Sequence, residues 1–151
     1  MSNRLPVLAA EIRQAHNVMN SAARTAVDAA IVAGRSLIEA KELVGHGNWL
    51  PFLKDAGLHE KAAQRLMTLA ASNLKSDMVS FLGGVTPALR FIAIRKQALQ
   101  AYDEAEAELT AGGPGLEPLE RAIGLIDDMV SMFPQEFLDE HRVTPMQERC
   151  S

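Results

Sequence analysis

The sequence predicts an all-α protein: a long Ala-rich N-terminal helix, a central helix-turn-helix, and further helices forming a small bundle. Two observations carry that expectation. Aromatic residues make up 5% of the chain although 48% of it is apolar, so the apolar material is chiefly Ala, Leu, Ile, Val and Met, which suits helix packing better than sheets. Apolar residues also recur at spacings of three and four, and no stretch shows the period-two alternation of a strand.

Between Leu5 and Val44 the only proline is Pro6 and the only glycine Gly34. Pro6 suits a first helical turn, where its missing amide hydrogen costs nothing. Two series repeat every seven residues: Leu5, Ile12, Met19, Ala26, Ala33, Ala40, and Leu8, Ala15, Ala22, Ala29, Ser36, Leu43. Such seams specify packing along one stripe in coiled-coil fashion. A continuous helix here would run roughly 60 Å at 1.5 Å per residue, longer than a compact domain needs. Either it bends near Asn20-Ser21 or Gly34, or its exposed portion pairs with another chain, with a homodimer through residues 5–44 as one outcome.

Gly45-His46-Gly47 ends this helix, because glycine reaches positive φ cheaply. Asn48 is placed to cap a short helix from Trp49 to Ala56, with Pro51 in its first turn. Gly57 breaks the chain, and a longer helix follows over Glu60 to Ser72, burying Ala63, Leu66, Met67 and Ala70. Residues 75–83 read as a short helix closed by Gly83-Gly84. Thr86-Pro87 reads as a cap and first-position proline opening a helix through Leu89, Ile92, Ile94, Leu99 and Tyr102 to about Leu109. Ala111-Gly112-Gly113-Pro114-Gly115 reads as a linker, giving a helical body over 1–110, a linker over 111–116, and an acidic C-terminal helix and tail over 117–151. The last helix runs from Glu117 to Met132 with Leu119, Ile123, Ile126 and Val130 on one face. Phe133-Pro134 ends it, before a turn and a loose tail.

The net charge of −4 is unevenly spread. Residues 1–102 carry 12 Lys/Arg against 7 Asp/Glu, and residues 103–151 carry 3 against 12, balances of +5 and −9. The acidic run from Asp103 to Glu108 sits on a helix and lacks the glycine and alternating ligands of a calcium loop. It reads as a solvated helix end; the functional alternative is intramolecular, competing with DNA phosphates for the basic face, or a protein partner for residues 103–151. The lone cysteine, Cys150, has no partner thiol, which fits a reducing compartment. The N-terminus lacks a signal pattern and no apolar run reaches membrane-span length, so a cytoplasmic protein is expected.

Residues 48–72 carry the functional information. A short helix, a tight glycine turn and a second helix form the layout that places its second helix in the major groove. Gly57 permits the turn, Leu58 plugs the space between the helices, Ala63 lets the first helix cross closely, and Leu66 closes the core. His59, Glu60, Lys61, Gln64, Arg65 and Thr68 then point outward. Gln64 and Arg65 are types that pair with adenine and guanine edges through two hydrogen bonds. Lys61, Thr68 and Lys54 are placed for the backbone, and His59 caps the second helix or faces the DNA. The expected partner is double-stranded DNA. Ordinary helix packing, with the protein serving as an adaptor for another protein, is the competing expectation.

The runs Ala9-Ala-Glu-Ile-Arg13, Ala33-Gly-Arg-Ser-Leu-Ile-Glu-Ala-Lys41, His46-Gly-Asn-Trp-Leu-Pro-Phe-Leu53, Gly57-Leu58 and Ala63-Gln-Arg-Leu-Met-Thr-Leu-Ala70 resemble the family called domain of unknown function 3102. The resemblance covers roughly residues 5–72. It implies a helix-turn-helix-like body of a kind found in bacteria, phages and mobile elements, and it brings no biochemical activity with it. The sequence departs from the family pattern at His59, Leu66 and Thr68, where a serine cap, an aromatic and an arginine are usual.

No other constellation points to chemistry. The four histidines lack ligand spacing, so no metal is expected. His46 is expected to order its turn, and Trp49 to anchor the first helix to the second. Gly112-Gly113-Pro114-Gly115 follows a helix rather than a strand, and no phosphate loop is formed. With no nucleophile–base pair and no carboxylate dyad, an enzyme is not expected, nor any cofactor.

Overall fold

A computed structural model describes residues 4–140. Among these the chain forms seven α-helices and no strand, divided into two compact units, Met1–Ser80 and Phe81–Ser151. Cys150 and His141 lie outside the described residues.

The first unit opens with α1 (Arg4–Leu43), which runs as one α-helix through Asn20-Ser21 and through Gly34. Neither place interrupts the helix. Only its C-terminal half enters a core, through Val27, Ile31, Gly34 and Leu37, while every residue from 10 to 26 is exposed. Gly34 has a different role from a hinge: it is where α1 meets α3 (Glu60–Ala71). A Cβ on it would overlap the Leu66 carbonyl oxygen and lie 2.7 Å from the Ala70 Cβ.

α1 closes with the Val44 amide donating to the Ala40 carbonyl, and Gly45 follows at φ 71°. Asn48 precedes α2 (Trp49–Asp55), and its carbonyl accepts the Phe52 amide at 3.1 Å. Its side chain does not cap α2, contrary to expectation. Instead Nδ2 donates backwards to the Val44 carbonyl at 3.0 Å, satisfying an acceptor that the end of α1 leaves open.

Leu37, Leu53, Ala63 and Met67 form the centre of this unit, with Ile38, Trp49, Phe52, Leu58 and Leu66 packed around them. Trp49 stacks on Phe52 at 5.8 Å, and the Lys41 ammonium lies 5.7 Å from the Trp49 ring. The indole thus ties α1 to α2, as its size and position suggest. α3 packs chiefly on α1, and its most enclosed large residue is Leu69, which the three–four pattern of Ala63, Leu66, Met67 and Ala70 does not include. Asn73 takes the left-handed conformation (φ 59°) just past α3, a place where a short polar side chain is tolerated. A short helix, α4 (Ser76–Phe81), follows and buries Val79.

The second unit is built on α5 (Val85–Thr110) and α6 (Leu116–Ser131), which pack on each other, followed by α7 (Gln135–Glu140). α5 starts before the expected cap: Gly84 precedes it and Thr86 and Pro87 lie inside its first turn. The segment 111–115 that reads as a linker joins α5 to α6 within this unit. Its glycines serve a tight helix end: the Gly113 amide donates to Glu108 at 2.8 Å and the Gly112 amide to Leu109 at 3.1 Å. Ala98, Ala101 and Ala105 of α5 and Pro118 and Ala122 of α6 are buried, so small residues line this pair, while Leu99, Tyr102 and Leu119 stay exposed.

A file of phenylalanines completes the unit. Phe91 meets Phe133 edge-on at 5.5 Å, Phe133 stacks on Phe137 at 4.7 Å, and Phe137 lies 5.0 Å from Phe81. This explains why the chain after Pro134 is helical rather than a loose tail. Phe137 and Leu138 donate their amides to the Pro134 carbonyl, and Leu138 is buried. Six residues are too few to show a helical period in the sequence.

Candidate nucleic-acid interface

The segment from α2 to α3 takes its shape from a hydrogen-bonded turn. At the end of α2 the Leu58 amide donates to the Leu53 carbonyl at 3.0 Å, and the Gly57 amide donates to Lys54 at 3.1 Å. With Gly57 at φ 74°, these two bonds and the packing of Leu58 beside Leu53 make a Schellman closure. The closure fixes the direction in which the chain leaves α2. Leu58 is half-buried against the core, the position its role as a plug requires.

α3 follows with one face committed. Ala63 is fully buried and Met67 nearly so, both on the side turned to α1 and α2. Helical geometry places Lys61, Gln64, Arg65 and Thr68 at i, i+3, i+4 and i+7 on the opposite side. Lys61, Gln64 and Arg65 are exposed and Thr68 is partly so. The hydroxyl of Thr68 donates to the Gln64 carbonyl at 2.8 Å. Its proton is occupied within the helix, which leaves its oxygen only as an acceptor, a poor match for a phosphate.

Lys54 and His59 are exposed and stand apart from that face. They line a shallow groove of about 270 Å³ with Leu50, Gly57, Leu58 and Glu60 where α2 gives way to α3. His59 occupies the N-cap position of α3 with extended backbone (φ −80°, ψ 149°), and its side chain makes no capping bond. An imidazole reaches past the N2 and N3 amides that a serine hydroxyl would accept. Glu60, beside it in the first turn, complements the positive end of the helix dipole but opposes an approaching phosphate. Leu50, 58% exposed, adds an apolar rim to the groove.

The electrostatic background follows the division into units. Residues 1–80 carry nine Lys/Arg against seven Asp/Glu, a balance of +2. The remainder of the +5 over residues 1–102 comes from Arg90, Arg95 and Lys96, which belong to α5 in the second unit. Cationic character near α3 therefore rests on individual side chains rather than on a broad field. Among the described residues no three His, Cys, Asp or Glu side chains gather as a metal site, and no helix is long and apolar enough to cross a membrane.

No curated protein and no solved structure matches the chain. A family model described as "Protein of unknown function (DUF3102)" matches residues 4–79, from the first turn of α1 to α4. That match takes in just over half the sequence and coincides with the first compact unit. The chain belongs to the DUF3102 family.

Proposed function

We propose that the protein binds double-stranded DNA through α3, as a regulatory or accessory factor of the phage or mobile-element kind. The observation that carries this reading is the outward face of α3. Gln64 and Arg65 stand side by side on a helix whose other face is fixed to α1. Both types can hold a base edge through two hydrogen bonds, and a helix anchored from behind can enter the major groove without losing its fold. Lys61 on the same face and Lys54 at the groove supply phosphate contacts. His59 faces the DNA from the turn, and Thr68 packs at the edge of the contact.

A gel shift with the whole protein tests it, using fragments from its own gene neighbourhood at low and moderate salt. A discrete complex that survives unrelated competitor DNA and weakens steeply with salt is the expected result. Absence of any complex from folded protein would overturn the reading.

The exposed apolar residues of α1 favour a second reading, a helical adaptor that holds another protein. Its complexes would tolerate salt, since apolar packing releases no counterions. Acidic residues within 103–151 are what such a partner would recognise by charge.

A further inference from the structure

The seven-residue seam of α1 is not the stripe that the protein's own core uses. Val27, Ile31, Gly34 and Leu37 face inward. The seam of Leu5, Leu8, Ile12, Ala15, Met19, Ala22, Ala26 and Ala29 is centred about 85° around the helix from the centre of that stripe, at 100° per residue. All of these are exposed except Leu8, which is partly so; Leu5 is 70%, Ile12 67% and Met19 60% exposed. The sector from Leu5 to Ala29 contains one charged residue, Glu11, while Arg13, Arg24 and Asp28 lie on the other side of the helix.

We propose that this seam pairs with the same seam of a second copy of the chain, antiparallel and centred near residue 17. Side-chain size along the seam fits a second copy. Large residues fill the N-terminal end of the seam and alanines fill the other end. In the antiparallel register Leu5 meets Ala29, Leu8 meets Ala26, Ile12 meets Ala22, and Met19 meets Ala15. Each layer then holds one large and one small residue, and the mirror-image layers repeat the match, as an isologous interface demands. A parallel pair would stack Leu5, Leu8 and Ile12 on themselves at one end and alanines on themselves at the other. No single interaxial distance satisfies both ends, and the gap forfeits contact.

The flanks agree with this register. Glu11 comes beside Thr25, not beside a second acid, and Val18 meets Val18 near the dyad, 64% exposed in the single chain. His16 meets His16 across the opposite flank, each ring already within 3.3 Å of Asn20 of its own helix. The paired stretch stops at residue 29, short of Gly34, so α3 keeps its seat and its outer face stays open. The proposal does not depend on DNA binding, and its test contains none.

The test uses the whole chain with Cys150→Ser. Sedimentation equilibrium should give a dimer, and Ile12→Glu should raise its dissociation constant by about 100-fold with helical content unchanged, since a charge would enter an apolar seam. Ile12→Ala and Ala22→Ile should each weaken the dimer, and the double variant should recover it by restoring the layer in reversed order. Val18→Cys should be linked to its counterpart by a short bismaleimide, and Leu5→Cys should not. A monomer, a dimer indifferent to Ile12→Glu, or linkage through Leu5→Cys but not Val18→Cys would each overturn the proposal. The last would mark a parallel pair, and the first a seam covered by something other than a second copy.

Discussion

Gly34 of α1 lies against the backbone carbonyl of Leu66 of α3, so close that a Cβ there would overlap the oxygen. Two opposed effects bear on Gly34→Ala. Alanine gains about 0.5–1 kcal/mol of helix propensity over glycine. The overlap is with backbone, which cannot swing aside without moving α3, and overpacking of this kind costs about 1–3 kcal/mol. The overlap wins, and Gly34→Ala should lower the urea midpoint of unfolding. An unchanged or raised midpoint would show that α1 and α3 are not in backbone contact.

Gly57→Ala isolates a different term. Nothing lies within 4 Å of a Cβ at this position, so the cost is conformational alone, from φ 74°. Alanine should cost about 1 kcal/mol and asparagine less, because the left-handed region disfavours a Cβ but tolerates a short polar side chain. Chemical denaturation of the two variants would show the ranking, and equal midpoints would contradict the closure described at α2.

The ion pair between Arg121 and Glu104, 2.9 Å long, joins α6 to α5 with both side chains nearly half exposed. Glu104→Gln should therefore cost less than about 1 kcal/mol, with little remaining at high salt. Leu53→Ala, at a site 2% exposed, should cost about 2–5 kcal/mol. The contrast between the two in one thermal-melting series would check that packing outweighs surface charge.

If α3 enters the major groove, Arg65→Ala should lose about 1–3 kcal/mol of affinity and relax preference at one base pair. Lys61→Ala should weaken all sequences alike and reduce the salt slope by about one. Thr68→Val should change little, because the hydroxyl proton is already held by Gln64. Fluorescence anisotropy with labelled duplexes would read all three. Uniform loss from Arg65→Ala would turn it into a phosphate contact.

What the sequence conveyed and what it hid follow from the range of each signal. Gly57-Leu58 and Ala63 could be placed because a turn and a close crossing each demand a residue type at one position. Asn48 could not, since its side-chain amide donates back to an open carbonyl at Val44 and makes no bond to α2. Gly34 invited a hinge because a glycine in a helix weakens it, and only the approach of α3 reveals the opposite purpose. The heptad seam of α1 advertised an apolar face without naming its cover, and the fold took the neighbouring stripe instead. The outward residues of α3 were legible from helical geometry. The spent hydroxyl of Thr68 needed atoms rather than periods.

The length of α1 beyond its seat on α3 has a mechanical consequence. From Val27, the most N-terminal of its buried residues, to Arg4 the helix projects 23 residues, about 35 Å at 1.5 Å per residue. A tilt of about 10° there carries the far tip through about 6 Å over that rise. The N-terminal half is thus a lever whose fulcrum is the buried stretch at Val27 and Ile31. Whatever grips the tip acts on the orientation of α3 with a mechanical advantage, and a small rotation of α3 is broadcast as a large displacement at the other end.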